Sequence, residues 1–127
     1  MKVIVAGSRT IKRYELVSTC IEESGFLPSL IIQGGAQGVD ASAARWAKEH
    51  GVDCQTVVAN WTLFGQKAGP IRNREMAALG DALILIWDGK SKGSANMKKL
   101  WLEKHPADSL VEYIVSENAI KYCYAQA

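Results

Sequence analysis

Short apolar runs alternate with helix-spaced segments along this chain, and this alternation restricts the fold more than any other feature. Val3, Ile4 and Val5 run together until Gly7 stops them. Leu30 to Gln33 ends at Gly34-Gly35, and Ala82-Leu83-Ile84-Leu85-Ile86 is uninterrupted. Continuous β-branched runs of this length suit strands covered on both faces, as in a parallel sheet. Further strands are predicted over Asp53–Val58 and Ser109–Val115. Between them, helices are predicted over Tyr14–Ser24, Val39–His50, Ile71–Leu79 and Ser94–Lys104, with Gly25, Gly51 and Gly80 as stops. In the second helix Ala41, Ala44, Trp46 and Ala47 are the expected packing residues. Such alternation predicts a single Rossmann-like α/β domain over residues 1–115. Its doubly wound, mostly parallel five-stranded sheet has order 3-2-1-4-5, with helices on both faces. Residues 116–127 read as a tail, a frayed helix or an edge element.

Composition narrows the function classes. With 127 residues, the chain is long enough to bury a core without disulfides or metal. Lys+Arg total 15 and Asp+Glu 13, a net charge of +2 that argues against a strongly basic nucleic-acid binder but not against a local basic patch. Three cysteines (Cys20, Cys54, Cys123) without a C-x-x-C spacing fit a reducing, cytoplasmic setting. His50 and His105 lie far apart, so neither structural zinc nor a histidine-centred hydrolase is expected, and no metal site is assigned. The opening apolar run is too short for a signal peptide or a membrane span.

In a doubly wound sheet the segments following the strands emerge at one edge, where ligands bind beside the point at which strand order reverses. Those segments are Gly7-Ser8-Arg9, Gly34 to Asp40, Asn60 to Asn73, and Asp88 to Ser94. Glycines at 34, 35 and 38, with Ala36 between them, let backbone amides approach a ligand near a helix start, which suits an anion such as phosphate. A tight strand-to-helix turn with no ligand would look the same. Asp40 is suited either to cap that helix or to accept from a ribose hydroxyl. Gly93-Ser94 repeats the device, with Ser94 as the expected cap, and so does Gly69-Pro70. Three such starts on one edge point to an anionic, nucleotide-like ligand. Arg9 and Arg72 are the natural phosphate ligands. Asn73 suits either a base or ribose contact or a local backbone bond. Trp61 is placed as a lid or a stacking ring. Trp46 and Trp101 are assigned to the core, Trp87 to either role, and Lys90, Lys92, Lys98 and Lys99 to a solvated face.

Gly7-Ser8-Arg9, GGAQGVD, Trp46-Ala47-Lys48-Glu49-His50-Gly51, Trp61, AGPIRNREM and WDGKSKGSANM together closely resemble the YspA/cpYpsA-related members of the SLOG superfamily, over roughly residues 3 to 100. The resemblance implies a compact Rossmann-like domain that binds a nucleotide-derived ligand, such as a molecule related to ADP-ribose or NAD. It also implies a homodimer or higher homo-oligomer. Its relatives include the LOG phosphoribohydrolases and the DNA-processing protein DprA. Carried onto this chain, the ligand positions are Gly7, Ser8, Arg9, Gly34, Gly35, Gly38, Asp40, Arg72, Asn73, Gly93 and Ser94; the residue reading adds Ala36, Trp61 and Asp88.

The LOG signature has a catalytic glutamate where this chain has Met97, and a thioether cannot transfer a proton. Asp40, Glu75 and Asp88 remain as candidate catalytic carboxylates. Three functions follow: capture of a nucleotide signal, LOG-like hydrolysis of an N-ribosidic or phosphoester bond, and DprA-like binding of single-stranded DNA, the last disfavoured by the small net charge. No cofactor beyond the nucleotide-derived ligand is implied.

Overall fold

A computed structural model of the chain describes residues 1–115 and the backbone of residues 125–126. Strand β1 (Lys2–Gly7) lies at the centre, hydrogen-bonded in parallel to β2 (Leu30–Gln33) on one side and β4 (Ala82–Trp87) on the other. Beyond β2 lies β3 (Asp53–Thr56), and beyond β4 lies β5 (Leu110–Ile114), both parallel. The five parallel strands thus stand in the expected order 3-2-1-4-5. A sixth, β6 (Ala125–Gln126), joins β5 antiparallel, with Glu112 opposite Gln126 and Tyr113 opposite Ala125. This edge strand extends the expected five-stranded sheet. Residues 116–124 and 127, the rest of the expected tail, lie outside the described residues.

The strands pack according to their sequences. Successive side chains alternate between faces. Val3 and Val5 therefore join Ile31, Ile84 and Ile86 on one face, under α1 (Tyr14–Glu23) and α2 (Val39–Glu49). Ile4 and Ala6 join Ile32, Leu83, Leu85 and Trp87 on the other, under α4 (Ala68–Leu79) and α5 (Lys92–Lys104). All six residues of β4 are buried, as expected of an apolar central strand. All four of β3 are exposed, because Asp53, Cys54, Gln55 and Thr56 form a polar edge. Burying each large aliphatic side chain contributes roughly 1.5–3 kcal/mol, so the β1–β4 centre anchors the fold.

Several boundaries differ from the sequence reading. The buried stripe of α2 is Val39, Ala43, Trp46 and Ala47, with Ser42, while Ala41 is exposed. Counting four, seven and eight residues on from Val39 gives this stripe. Strand β3 ends at Thr56, although Val57 N–H continues the ladder to the Gln33 carbonyl at 2.9 Å. Helix α4 begins at Ala68 rather than Ile71. The one-turn helix α3 (Trp61–Phe64) and a 3₁₀ turn (Gly65–Lys67) lead directly into it. Helix α5 begins at Lys92, and its cap is Ser91 rather than Ser94: the Ser91 Oγ accepts from Ser94 N–H at 3.3 Å. No helix among the described residues is long and apolar enough to cross a membrane.

Candidate functional site

Strand order reverses between β1 and β4, and a cavity of about 390 Å³ opens there. Its floor holds Ala6, Met76 and Met97. Its walls hold Gly7, Ser8, Arg9, Ala36, Asp40, Arg72, Asn73, Asp88, Ser91, Gly93 and Ser94. A second cavity of about 460 Å³ lies beside it, lined by Gly34, Gly35, Ala36, Gln37, Val58, Ala59 and Trp61 together with Arg9 and Arg72. The two lobes meet at Arg9, Ala36 and Arg72.

Two glycines are required by close approach. A Cβ on Gly7 would run into the Ile86 carbonyl of β4. Gly38 has φ +73, and a Cβ there would run into the carbonyls of Ser8 and Arg9. These contacts let the β1–α1 and β2–α2 turns lie against each other. In keeping with this, Val39 N–H, at the start of α2, donates to the Ser8 carbonyl at 3.3 Å.

The amides of the Gly34–Asp40 loop are largely engaged inside the protein. Gly35 N–H donates to Gln33 Oε1 at 2.6 Å, and Ala36 N–H to Asp40 Oδ2 at 3.1 Å. The Asp40 carboxylate is itself the loop's anion. Burial pushes its pKa up, while the loop amides and the Arg72 and Arg9 charges pull it down less strongly. Asp88 performs a similar task on the opposite lip. Its Oδ1 accepts from Lys90 and Ser91 N–H at 2.8 and 2.9 Å, and these bonds, with that of Ser8, hold its pKa below the usual value. Asp88 N–H in turn donates to Ser8 Oγ at 3.1 Å, which ties β1 to β4 at the mouth of the cleft.

Arg72 and Asn73 link the lips. Arg72 Nη1 donates to the Gly34 carbonyl at 2.8 Å, and its Nε donates to Asn73 Oδ1 at 3.1 Å. The Asn73 amide nitrogen donates to the Gly93 carbonyl at 3.2 Å and to Asn96 Oδ1 at 3.0 Å. Buried Asn73, with its amide nitrogen bonded to Gly93 and Asn96, thus braces α4 against α5 at the cleft wall. A guanidinium has five N–H donors. Among the described residues Arg72 makes these two hydrogen bonds, and its side chain lines both lobes. Burial, more than the nearby Arg9, lowers the Arg72 pKa, and Asp40 opposes the shift. Arg9 is exposed and lines both lobes.

Other expected positions lie elsewhere. Glu75 is exposed on the opposite side of α4, in a groove with Lys67, Pro70 and Arg74. Ala68, Gly69 and Pro70 at the start of α4 line neither lobe, and Ala68 N–H is engaged by the Gly65 carbonyl. Met97 is 1% exposed and forms part of the cleft floor. Trp61 lines the second lobe and is 51% exposed, whereas Trp46, Trp87 and Trp101 are buried. Sequence reasoning missed Ser91 and Asn96. The Asp88-Gly89-Lys90-Ser91 turn carried a signal for the first, since aspartate and serine readily bond amides two or three residues on.

This geometry can be set beside known proteins. The structure of DNA processing protein A (DprA) from Streptococcus pneumoniae superposes with a TM-score of 0.66 at 20% identity, over 94% of this chain and 52% of that one. The chain therefore has the DprA-like α/β fold and spans about half the length of that protein. The Gene 61 protein of Mycobacterium phage D29 is 32% identical over 102 residues, covering 73% of this chain and 82% of the phage protein. The sequence pattern of the YspA, cpYpsA-related SLOG family matches residues 1–64, which include β1, the Gly34–Asp40 loop and Trp61. The β1 and Gly34–Asp40 side of the cleft thus lies within the segment that carries the family pattern, and the chain belongs to the YspA/cpYpsA-related SLOG family.

Proposed function

We propose that the chain binds a nucleotide or nucleotide-derived signal, such as an ADP-ribose- or NAD-related molecule, at the carboxyl edge of the sheet, and that it senses or sequesters this ligand. One observation carries this reading: Arg9 and Arg72 both line both lobes, so two cationic side chains stand at the junction of the cleft. Guanidinium binds phosphate in a bidentate way and loses less solvation than an ammonium in doing so. Met97 at the position of the LOG glutamate favours capture over turnover. The reading includes a homodimer or higher assembly, which light scattering measures.

Thermal shift with AMP, NAD and ADP-ribose tests it. At least one should raise the melting temperature, and Arg9→Ala should remove most of the shift while leaving the apo protein folded. An unchanged shift in Arg9→Ala and Arg72→Ala would sink the site.

One observation favours hydrolysis as a second reading: Asp40, in the cleft wall, has a pKa raised by burial, as suits a proton donor. Glu75 plays no part in it, being outside the cleft. Chromatography after prolonged incubation with the same nucleotides separates capture from cleavage. Salt-dependent binding of single-stranded DNA would instead favour a role in DNA processing.

A further inference from the structure

We infer that the outer face of α4 is the surface by which two copies of the chain associate, helix against antiparallel helix, about a two-fold axis between Arg74 and Glu75. This deepens the assembly included above and rests on it; it does not depend on which ligand the cleft takes. Helix α4 has two working sides. Arg72, Asn73 and Met76 line the first lobe. On the other side a groove of about 520 Å³ is lined by Lys67, Pro70, Ile71, Arg74, Glu75 and Ala78. Ile71, Arg74, Glu75 and Ala78 are spaced three, four and seven residues on from the first, so they form one stripe. Pro70, Ile71 and Ala78 make that stripe apolar, together with the aliphatic stems of the charged residues. In the same stretch Leu63, Phe64 and Leu79 are 68%, 43% and 38% exposed, an apolar concentration of the kind that marks a protein contact.

The charges choose the occupant. Arg74 and Glu75 are exposed neighbours at the middle of the stripe, and neither is in an ion pair among the described residues. A face with one cation beside one anion is its own complement. In an isologous contact each position meets its counterpart across the axis. With the axis between residues 74 and 75, Arg74 of each copy meets Glu75 of the other, so two ion pairs form. Ile71 then meets Ala78, and Pro70 meets Leu79. A large side chain opposite a small one lets the two helices approach closely. An anionic lipid surface would meet Glu75 as a like charge, and a basic peptide would meet Arg74 as one.

The test is sedimentation equilibrium of the full chain, its single charge reversals Arg74→Glu and Glu75→Arg, and the double reversal carrying both. The wild-type protein should sediment at twice the 13.9 kDa of one chain. Each single reversal sets like charges against each other at two symmetric places, and should raise the dimer dissociation constant about tenfold or more. The double reversal re-forms both ion pairs with their signs exchanged, and should return the constant to within about threefold of wild type. Both side chains are exposed, so all three variants should fold, which circular dichroism checks. If the single reversals leave the dimer intact, or the double reversal dissociates as they do, the α4 contact is overturned while assembly through another face stands. If the wild-type protein sediments as a monomer, the α4 contact and the assembly both fall, and nucleotide binding is untouched.

Discussion

The two lips of the cleft use the same device with opposite electrostatic results. On the β2–α2 lip, Asp40 accepts from the Ala36 amide; on the β4–α5 lip, Asp88 accepts from the amides of Lys90 and Ser91. Asp40 is buried, and desolvation wins over its hydrogen bonds, raising its pKa. Asp88 is only partly buried, and hydrogen bonds win over desolvation, lowering its pKa. A carboxylate that accepts loop amides is therefore not one kind of group. Where water still reaches it, it stays ionised and shapes a turn. Where water is excluded, its charge is held at a cost that a neighbouring ligand or guanidinium can alter.

The glycines give the sharpest way to break this comparison. Gly38→Ala places a Cβ against the Ser8 and Arg9 carbonyls at a positive φ, with no room to shift. A loss of ~3 kcal/mol or more is expected in urea unfolding, from strain and overpacking together. On the other lip, a Cβ on Gly93 meets nothing within 4 Å. Gly93→Ala should leave stability unchanged or raise it by about 0.5–1 kcal/mol, since the residue lies in the first turn of α5. Equal destabilisation by the two variants would contradict the proposed difference between the lips.

Asn73→Ala removes the brace between them. It frees the Gly93 carbonyl, Asn96 and Arg72 Nε at once, and a loss of ~1–3 kcal/mol is expected. Nucleotide affinity should fall as well, because Arg72 loses its support; a variant with reduced stability but unaltered affinity would show that the brace does not position Arg72.

The smallest effects lie in pH dependence. The folded pKa of Asp40 is raised from 3.8, so the folded state binds the proton more tightly than the unfolded chain. Its contribution is fully present below 3.8 and lost as pH rises through the folded value. Asp88 has the opposite sign: its contribution is present above 3.8 and lost as pH falls through its lowered value. Asp40→Asn should therefore remove a decline in stability on the neutral side of 3.8, and Asp88→Asn a rise on the acid side. Unfolding midpoints measured across acidic pH distinguish the two. Identical profiles for both variants would show that burial does not separate the lips.

Sequence alone made the strand order legible, because apolar runs such as Val3-Ile4-Val5 and Ala82 to Ile86 alternate with helix-spaced segments, as in a doubly wound parallel sheet. It also brought Arg9, Arg72 and Trp61 toward one edge. It could not reveal that Asn73 is engaged by Gly93 and Asn96, because those partners lie 20 and 23 residues further on. Nor could it tell that Asp40 already engages the Ala36 amide, since a glycine-rich turn reads the same whether its anion is a ligand or a side chain. The start of α4 was misplaced because Gly65 and Gly69 look like breakers, yet Gly65 opens a 3₁₀ turn and Gly69 lies in the first turn of α4.

Complete burial of β4 has a consequence for the order in which the molecule opens. Its amides pair with β1 on one side and β5 on the other, beneath helices on both faces. They should exchange with deuterium only when the whole domain unfolds, whereas those of β3, at a polar edge, should exchange through local fraying. The cleft mouth, at the carboxyl ends of β1 and β4, therefore sits on the slowest-exchanging part of the protein, and the Trp61 wall on a faster one.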